Sequence, residues 1–128
     1  MDRSSTRRRI HKRDFYGDES PREFLYWAKH MGQYFGQFDY IPCVMFDKTY
    51  SCLQSRALRG FQRVEDRYYQ TGRDDIRTFG ELLYCMTRHY APDHDAYEIT
   101  NWVWGIINDE RETRRQADRP VLSRVPLE

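Results

Sequence analysis

Cys85, His89 and His94 come nearest to metal chemistry in this sequence. Cys85 and His89 are four residues apart, so on a helix they share a face. Asp93 or Asp95 could complete a tetrahedral zinc set. Structural zinc motifs normally show two ligand pairs, and only one pair stands here. Cys85 therefore reads as a small core residue, and both His as surface or capping residues. The carboxylates Asp74-Asp75, Asp93, Asp95 and Asp109-Glu110 lie near helix ends or on charged faces, where capping accounts for most of them. Nothing in the sequence places two of them in one apolar pocket. No nucleophile elbow, phosphate-binding glycine loop or zinc-protease motif is present. The expectation is a non-enzyme, with no catalytic residue, no metal and no cofactor.

Two residue groups could bind rather than react. Arg7, Arg8, Arg9, Lys12 and Arg13 could meet phosphates in a salt-sensitive, sequence-blind way. Phe15, Tyr16, Tyr68, Tyr69 and Trp104 fall where exposed aromatics would anchor an interface. Residues 1–13 hold six Arg/Lys against one Asp, a net +5 within a whole-chain charge of +1, so the rest is mildly acidic at −4. Nucleic-acid binding is therefore expected of the arm alone, since a whole-domain binder would be basic over its folded surface.

The elements that must position these groups read as helices. The 128 residues suit one domain, and ten Tyr, seven Phe and three Trp can fill its core. Ser20, Pro21 and Glu23 form a capping box, in which each side chain satisfies an orphan N–H of the other residue. The face that follows is Phe24, Trp27, Ala28, Met31, Phe35 and Phe38. Gly32 and Gly36 would allow a close helix crossing. Pro42 interrupts the chain, and Asp47 offers a cap for a stretch bearing Tyr50, Leu53, Ala57, Phe61, Val64 and Tyr68. Gly60 leaves open one bent helix or two short ones. Thr78 and Glu81 form a second capping box, before Phe79, Leu82, Leu83, Met86 and Tyr90. Asp93 or Asp95 then caps a last helix with Ile99, Trp102, Val103, Ile106 and Ile107 inward. Its residues 109–119 are expected to be a solvated, charged end. The core is thus expected to include Phe24, Trp27, Met31, Phe35, Leu53, Phe61, Val64, Phe79, Leu82, Leu83, Met86, Trp102 and Ile106. The fold class is all-α, a bundle of about five helices. The expected divisions are a disordered arm at 1–13, a helical domain at 14–117 and a tail at 118–128, where Leu127-Glu128 matches an expression-vector remnant.

Apolar runs are short, so no transmembrane span is expected. The basic N-terminus lacks the apolar stretch of a secretory signal. Cys43, Cys52 and Cys85 are odd in number and show no CxxC spacing, which fits free thiols in a reducing compartment, the cytoplasm or nucleus.

The order of motifs adds a resemblance. Phe15-x-Gly17 is followed by Ser20-Pro21-Arg22-Glu23-Phe24-Leu25-x-Trp27, Tyr34-Phe35, Ile41-Pro42, Leu58-Arg59-Gly60, Ile76-Arg77-Thr78-Phe79-x-Glu81-Leu82 and Tyr90-Ala91-Pro92. Over residues 15–92 this resembles the capsid-type Gag domain, N-terminal lobe, of gypsy-type LTR retrotransposons, plant ones in particular, or a host-domesticated copy. The family's Trp pair after Leu58-x-Gly60 is absent, with Glu65-Asp66 in its place, and its Thr-Trp is Thr78-Phe79. No CCHC zinc knuckle and no second lobe is recognisable. The resemblance implies an all-helical lobe that self-associates, hence a homo-oligomer. It also implies an alternative, a domesticated adaptor. A related neuronal Gag-derived protein grips partner peptides beside the stretch before its first helix, which corresponds here to Phe15-Tyr16-Gly17. Binding of RNA or DNA by the basic arm is a further alternative.

Overall fold

A computed structural model describes residues 9–73 and 75–118 of the chain. It is all-helical: α1 Pro21–Phe35, α2 Pro42–Tyr50, α3 Ser55–Thr71, α4 Phe79–Tyr90 and α5 Ala96–Asp118. Among the described residues the only β-type pairing is an isolated parallel bridge between Phe15 and Leu53.

Short-range chemistry sets the helix starts. Ser20 Oγ accepts from the Glu23 N–H, the Glu23 carboxylate accepts from the Ser20 N–H, and Pro21 occupies the first turn of α1. Thr78 and Glu81 repeat the arrangement at α4. The Arg77 and Thr78 N–H groups hold the Glu81 carboxyl below its ordinary value, against a smaller opposing push from burial. Asp95, not Asp93, caps α5 by accepting from the Tyr97 and Glu98 N–H groups. Gly72 ends α3 at φ 73°, the left-handed conformation glycine adopts at least cost.

The middle of the chain corrects the sequence reading. Pro42 opens α2 rather than separating helices, because its fixed φ suits the first helical position. Asp47 lies inside α2 and caps nothing. The break falls at 51–54, and α3 runs unbroken through Gly60.

α5 runs parallel to α1 and antiparallel to α4. Glycines permit the first contact. A Cβ at Gly32 would lie 3.1 Å from Val103 Cγ1, and one at Gly36 would collide with Glu110 Cβ. Phe24, Trp27, Met31, Phe35, Leu53, Phe61, Phe79, Leu82, Leu83 and Met86 are buried, together with Phe15, Met45, Val103 and Ile107.

Three expected core residues are not fully buried. Trp102 is 42% exposed, while Ile106 and Val64 are half-buried. α5 packs against two neighbours, so its inward line passes through Ala96, Val103 and Ile107. That turns Trp102 outward past α1 and Trp104 inward against Phe79, with ring centroids 6.2 Å apart.

The charged end of α5 is not simply solvated. Arg111 donates from Nε to Phe38 O and from Nη2 to Tyr40 O, and Arg114 pairs with Asp39 at 2.8 Å. Burial lowers the Arg111 pKa, and the Asp39 charge opposes that shift. These contacts tie the α1–α2 connection to α5. No described helix is long and apolar enough to cross a membrane.

Candidate functional site

The segment before α1 is anchored residue by residue. The Gln37 carboxamide bonds both Ile10 N–H and Ile10 O, at 2.8 and 2.7 Å. Trp27 Nε1 donates to Arg13 O, and His30 Nε2 meets His11 O. Residues 9–13 therefore lie along α1 and are not a loose arm. Arg9, Lys12 and Arg13 stay exposed there, available to anions. Arg7 and Arg8 lie outside the described residues, as does the expected tail beyond Asp118.

Phe15 is core rather than groove lining. It is fully buried, with ring centroids 4.8 Å from Tyr90, 4.9 Å from Trp27 and 5.7 Å from Phe24. Its N–H donates to Cys52 O, and its carbonyl accepts from Gln54 N–H. Strand-like alternation then turns Tyr16 outward. Gly17 follows at φ 98°, where an added Cβ would meet the Ala57 backbone N at 2.5 Å. The Glu19 carboxylate accepts from the Tyr16 and Gly17 N–H groups.

Three of the openings on the described surface are bordered by exposed aromatic side chains. A groove of about 890 Å³ lies between residues 9–16 and α1, with Tyr16, Glu19, Glu23 and Tyr26 on its walls. A second, of about 210 Å³, lies between α1 and α5 under Tyr26 and Trp102. A third, of about 620 Å³, follows α4 and α5 past the end of α3 and brings Tyr68 and Trp104 together with Tyr84 and Tyr97.

Of the aromatics singled out in the sequence, Tyr68 and Trp104 share this third groove, Tyr16 borders the first, and Tyr69 stands apart at 83% exposure. Tyr26, Tyr97 and Trp102 are exposed aromatics that the sequence reading does not single out for an interface. Tyr26 falls off the α1 stripe, which marks it as outward, whereas helical spacing alone counts Trp102 with the core.

Cys85 and His89 both line a small cleft between α3 and α4. Burial pushes the Cys85 thiol up, and a hydrogen bond with Tyr68 opposes the shift. Among the described residues no three His, Cys, Asp or Glu side chains converge as a metal set. The arrangement offers contact surfaces: aromatic faces, exposed cations and carboxylate rims. Comparison with models of protein families, with curated proteins and with solved structures finds no match.

Proposed function

We propose that this chain is a non-enzymatic, self-associating, capsid-like domain, working inside the cell as an assembly or scaffold unit of a retrotransposon or a domesticated copy. The observation that supports it is the pairing of Tyr26, 59% exposed, with Trp102, 42% exposed, over one cleft between α1 and α5. Exposed Trp and Tyr over a cleft are the side chains that anchor protein interfaces. Arg22 and Lys29 border the same cleft, while the exposed Glu98 and Asp109 lie on α5. Copies meeting head to tail close into rings or extend, according to the rotation between them.

Light scattering after size exclusion tests the reading. The protein is expected to grow into discrete oligomers with concentration, and Trp102→Ala to hold it at the 15.7 kDa monomer without a change in far-UV circular dichroism. A wild-type chain that stays monomeric at every concentration and salt removes the reading.

A second reading is an adaptor that takes an extended peptide in the groove between residues 9–16 and α1, favoured by that groove's size and by Tyr16 at 48% exposure. Binders selected from a displayed peptide library are expected to lose affinity at least tenfold with Tyr16→Ala, at unchanged melting temperature. Binders indifferent to Tyr16 eliminate it.

A further inference from the structure

The cleft between α3 and α4 joins an apolar floor to a cationic rim. Leu53, Ala57, Val64 and Met86 line the floor, while the exposed Arg63, Arg67 and His89 stand at its mouth. Among the described residues no carboxylate borders it. It holds about 170 Å³, close to the ~150 Å³ of an apolar cavity that takes a benzene ring. The opening exists because α3 packs sparsely: of its 17 residues only Ala57 and Phe61 are buried. Gly60 keeps it open, since a Cβ there would meet nothing nearer than the Tyr90 hydroxyl, at 3.9 Å.

The rim belongs to a longer stripe. Arg56, Arg59, Arg63 and Arg67 follow one another along α3 at steps of three and four, and all four are exposed. They span ~16 Å of helix. Like charges at this spacing disfavour a helix, and among the described residues no carboxylate pairs with any of them. Glu65 and Asp66, the two carboxylates of α3, do not line the cleft. Burial raises the Tyr90 pKa, the Glu19 charge adds to the shift and Arg63 opposes it. Glu19, however, is already held by the Tyr16 and Gly17 N–H groups.

We infer that this cleft docks an acidic peptide segment of a partner protein, which seats one aromatic or large aliphatic side chain on the floor and sets its carboxylates against Arg63, Arg67 and the rest of the stripe. Charge complementarity selects an anionic occupant. The length of the stripe selects one with several charges in a row, since the cleft itself takes only one side chain. The floor selects peptide over single-stranded nucleic acid, which needs aromatic faces for its bases to stack on. The two aromatic rings at the cleft are engaged with other rings, Phe61 with Phe46 and Tyr50, and Tyr90 with Phe15 and Phe24. The inference is independent of the α1–α5 contact and of the groove beside residues 9–16.

The test titrates the full chain into a fluorescein-labelled peptide with a central Phe between two runs of Glu, followed by fluorescence anisotropy at low salt. Saturable binding is expected. It should weaken at least tenfold when Ala replaces the central Phe, which leaves the peptide's charge unchanged. It should weaken as much with Gly60→Leu, which fills the cleft, and with Arg63→Gln/Arg67→Gln. Leu is a better helix former than Gly, so the melting temperature of Gly60→Leu is expected not to fall. The arginine pair is exposed, and circular dichroism confirms the fold of both variants. Binding should also weaken steeply between about 50 and 500 mM salt. Absence of saturable binding, or affinity indifferent to the central Phe, to Gly60→Leu or to the arginine pair, overturns the site. Loss with Tyr16→Ala but not with Gly60→Leu puts the peptide in the other groove and overturns it too. A single-stranded oligonucleotide that binds more tightly than the peptide and is lost with Gly60→Leu overturns the assignment to a peptide. Trp102→Ala is expected to leave peptide affinity unchanged, so failure of the α1–α5 contact and failure of this cleft are read separately.

Discussion

Phe15→Ala is expected to destabilise the protein by about 3–5 kcal/mol, the range for removing a fully buried aromatic ring. The ring lies among Phe24, Trp27 and Tyr90, so its loss leaves a cavity bordered by three large, rigid side chains. Those neighbours belong to α1 and to the end of α4, and the Phe15 backbone bonds the α2–α3 connection. One side chain thus joins three parts of the bundle, none of which can close over the gap alone. A domain of this size has a total stability of roughly 5–15 kcal/mol. The melting temperature is expected to fall by roughly 10–20 °C. Urea unfolding should show a lower midpoint at unchanged slope. Tyr16→Ala, one residue on and exposed, should move stability by less than about 0.5 kcal/mol. Equal melting of the Phe15→Ala and wild-type proteins would show that Phe15 is not core.

Gly36→Ala is expected to destabilise by about 1–3 kcal/mol, the cost of overfilling a close contact. Gly36 has ordinary right-handed backbone angles, φ −63° and ψ −17°, so Ala fits the chain locally. Helix propensity alone would make Ala better by up to ~1 kcal/mol. The sign of the effect therefore decides whether the close passage of α5 over α1 is real. An added Cβ would collide with Glu110 Cβ and approach Cγ, on a helix whose path is tied to the α1–α2 connection by Arg111 and Arg114. Glu110→Gly removes both atoms. Alone it should cost about 1 kcal/mol for glycine in a helix. Combined with Gly36→Ala it should cost less than the two separate losses together, with a coupling of about 0.5–3 kcal/mol. Additive effects in the double-mutant cycle, or stabilisation by Gly36→Ala, would refute the contact.

The features legible in the sequence are those written within a few residues. The capping boxes at Ser20–Glu23 and Thr78–Glu81 each join a residue to its third neighbour, so they need no other part of the chain. The faces of α1 and α4 were legible for a related reason. Each is an apolar stripe about one helix face wide, and the 3.6-residue period sets its phase. The glycines at 32 and 36 signalled a close crossing because nothing local calls for them.

Tertiary structure decided the rest. Pro42 can break a helix or begin one, and only the packing of α2 on α4 selects the second. The inward line of α5 depends on two neighbours at once, so Trp102 and Trp104 exchange their expected roles. Phe15 sits in no helix, and its burial is set by the backbone of Cys52 and Gln54. Arg111 reaches carbonyls 71 and 73 residues earlier in the chain. The grooves share this dependence, since each is walled by side chains from separate elements. Sequence periodicity orders residues around one helix axis, but the rotation of one helix against another is set by how their surfaces interlock, which no local stretch encodes.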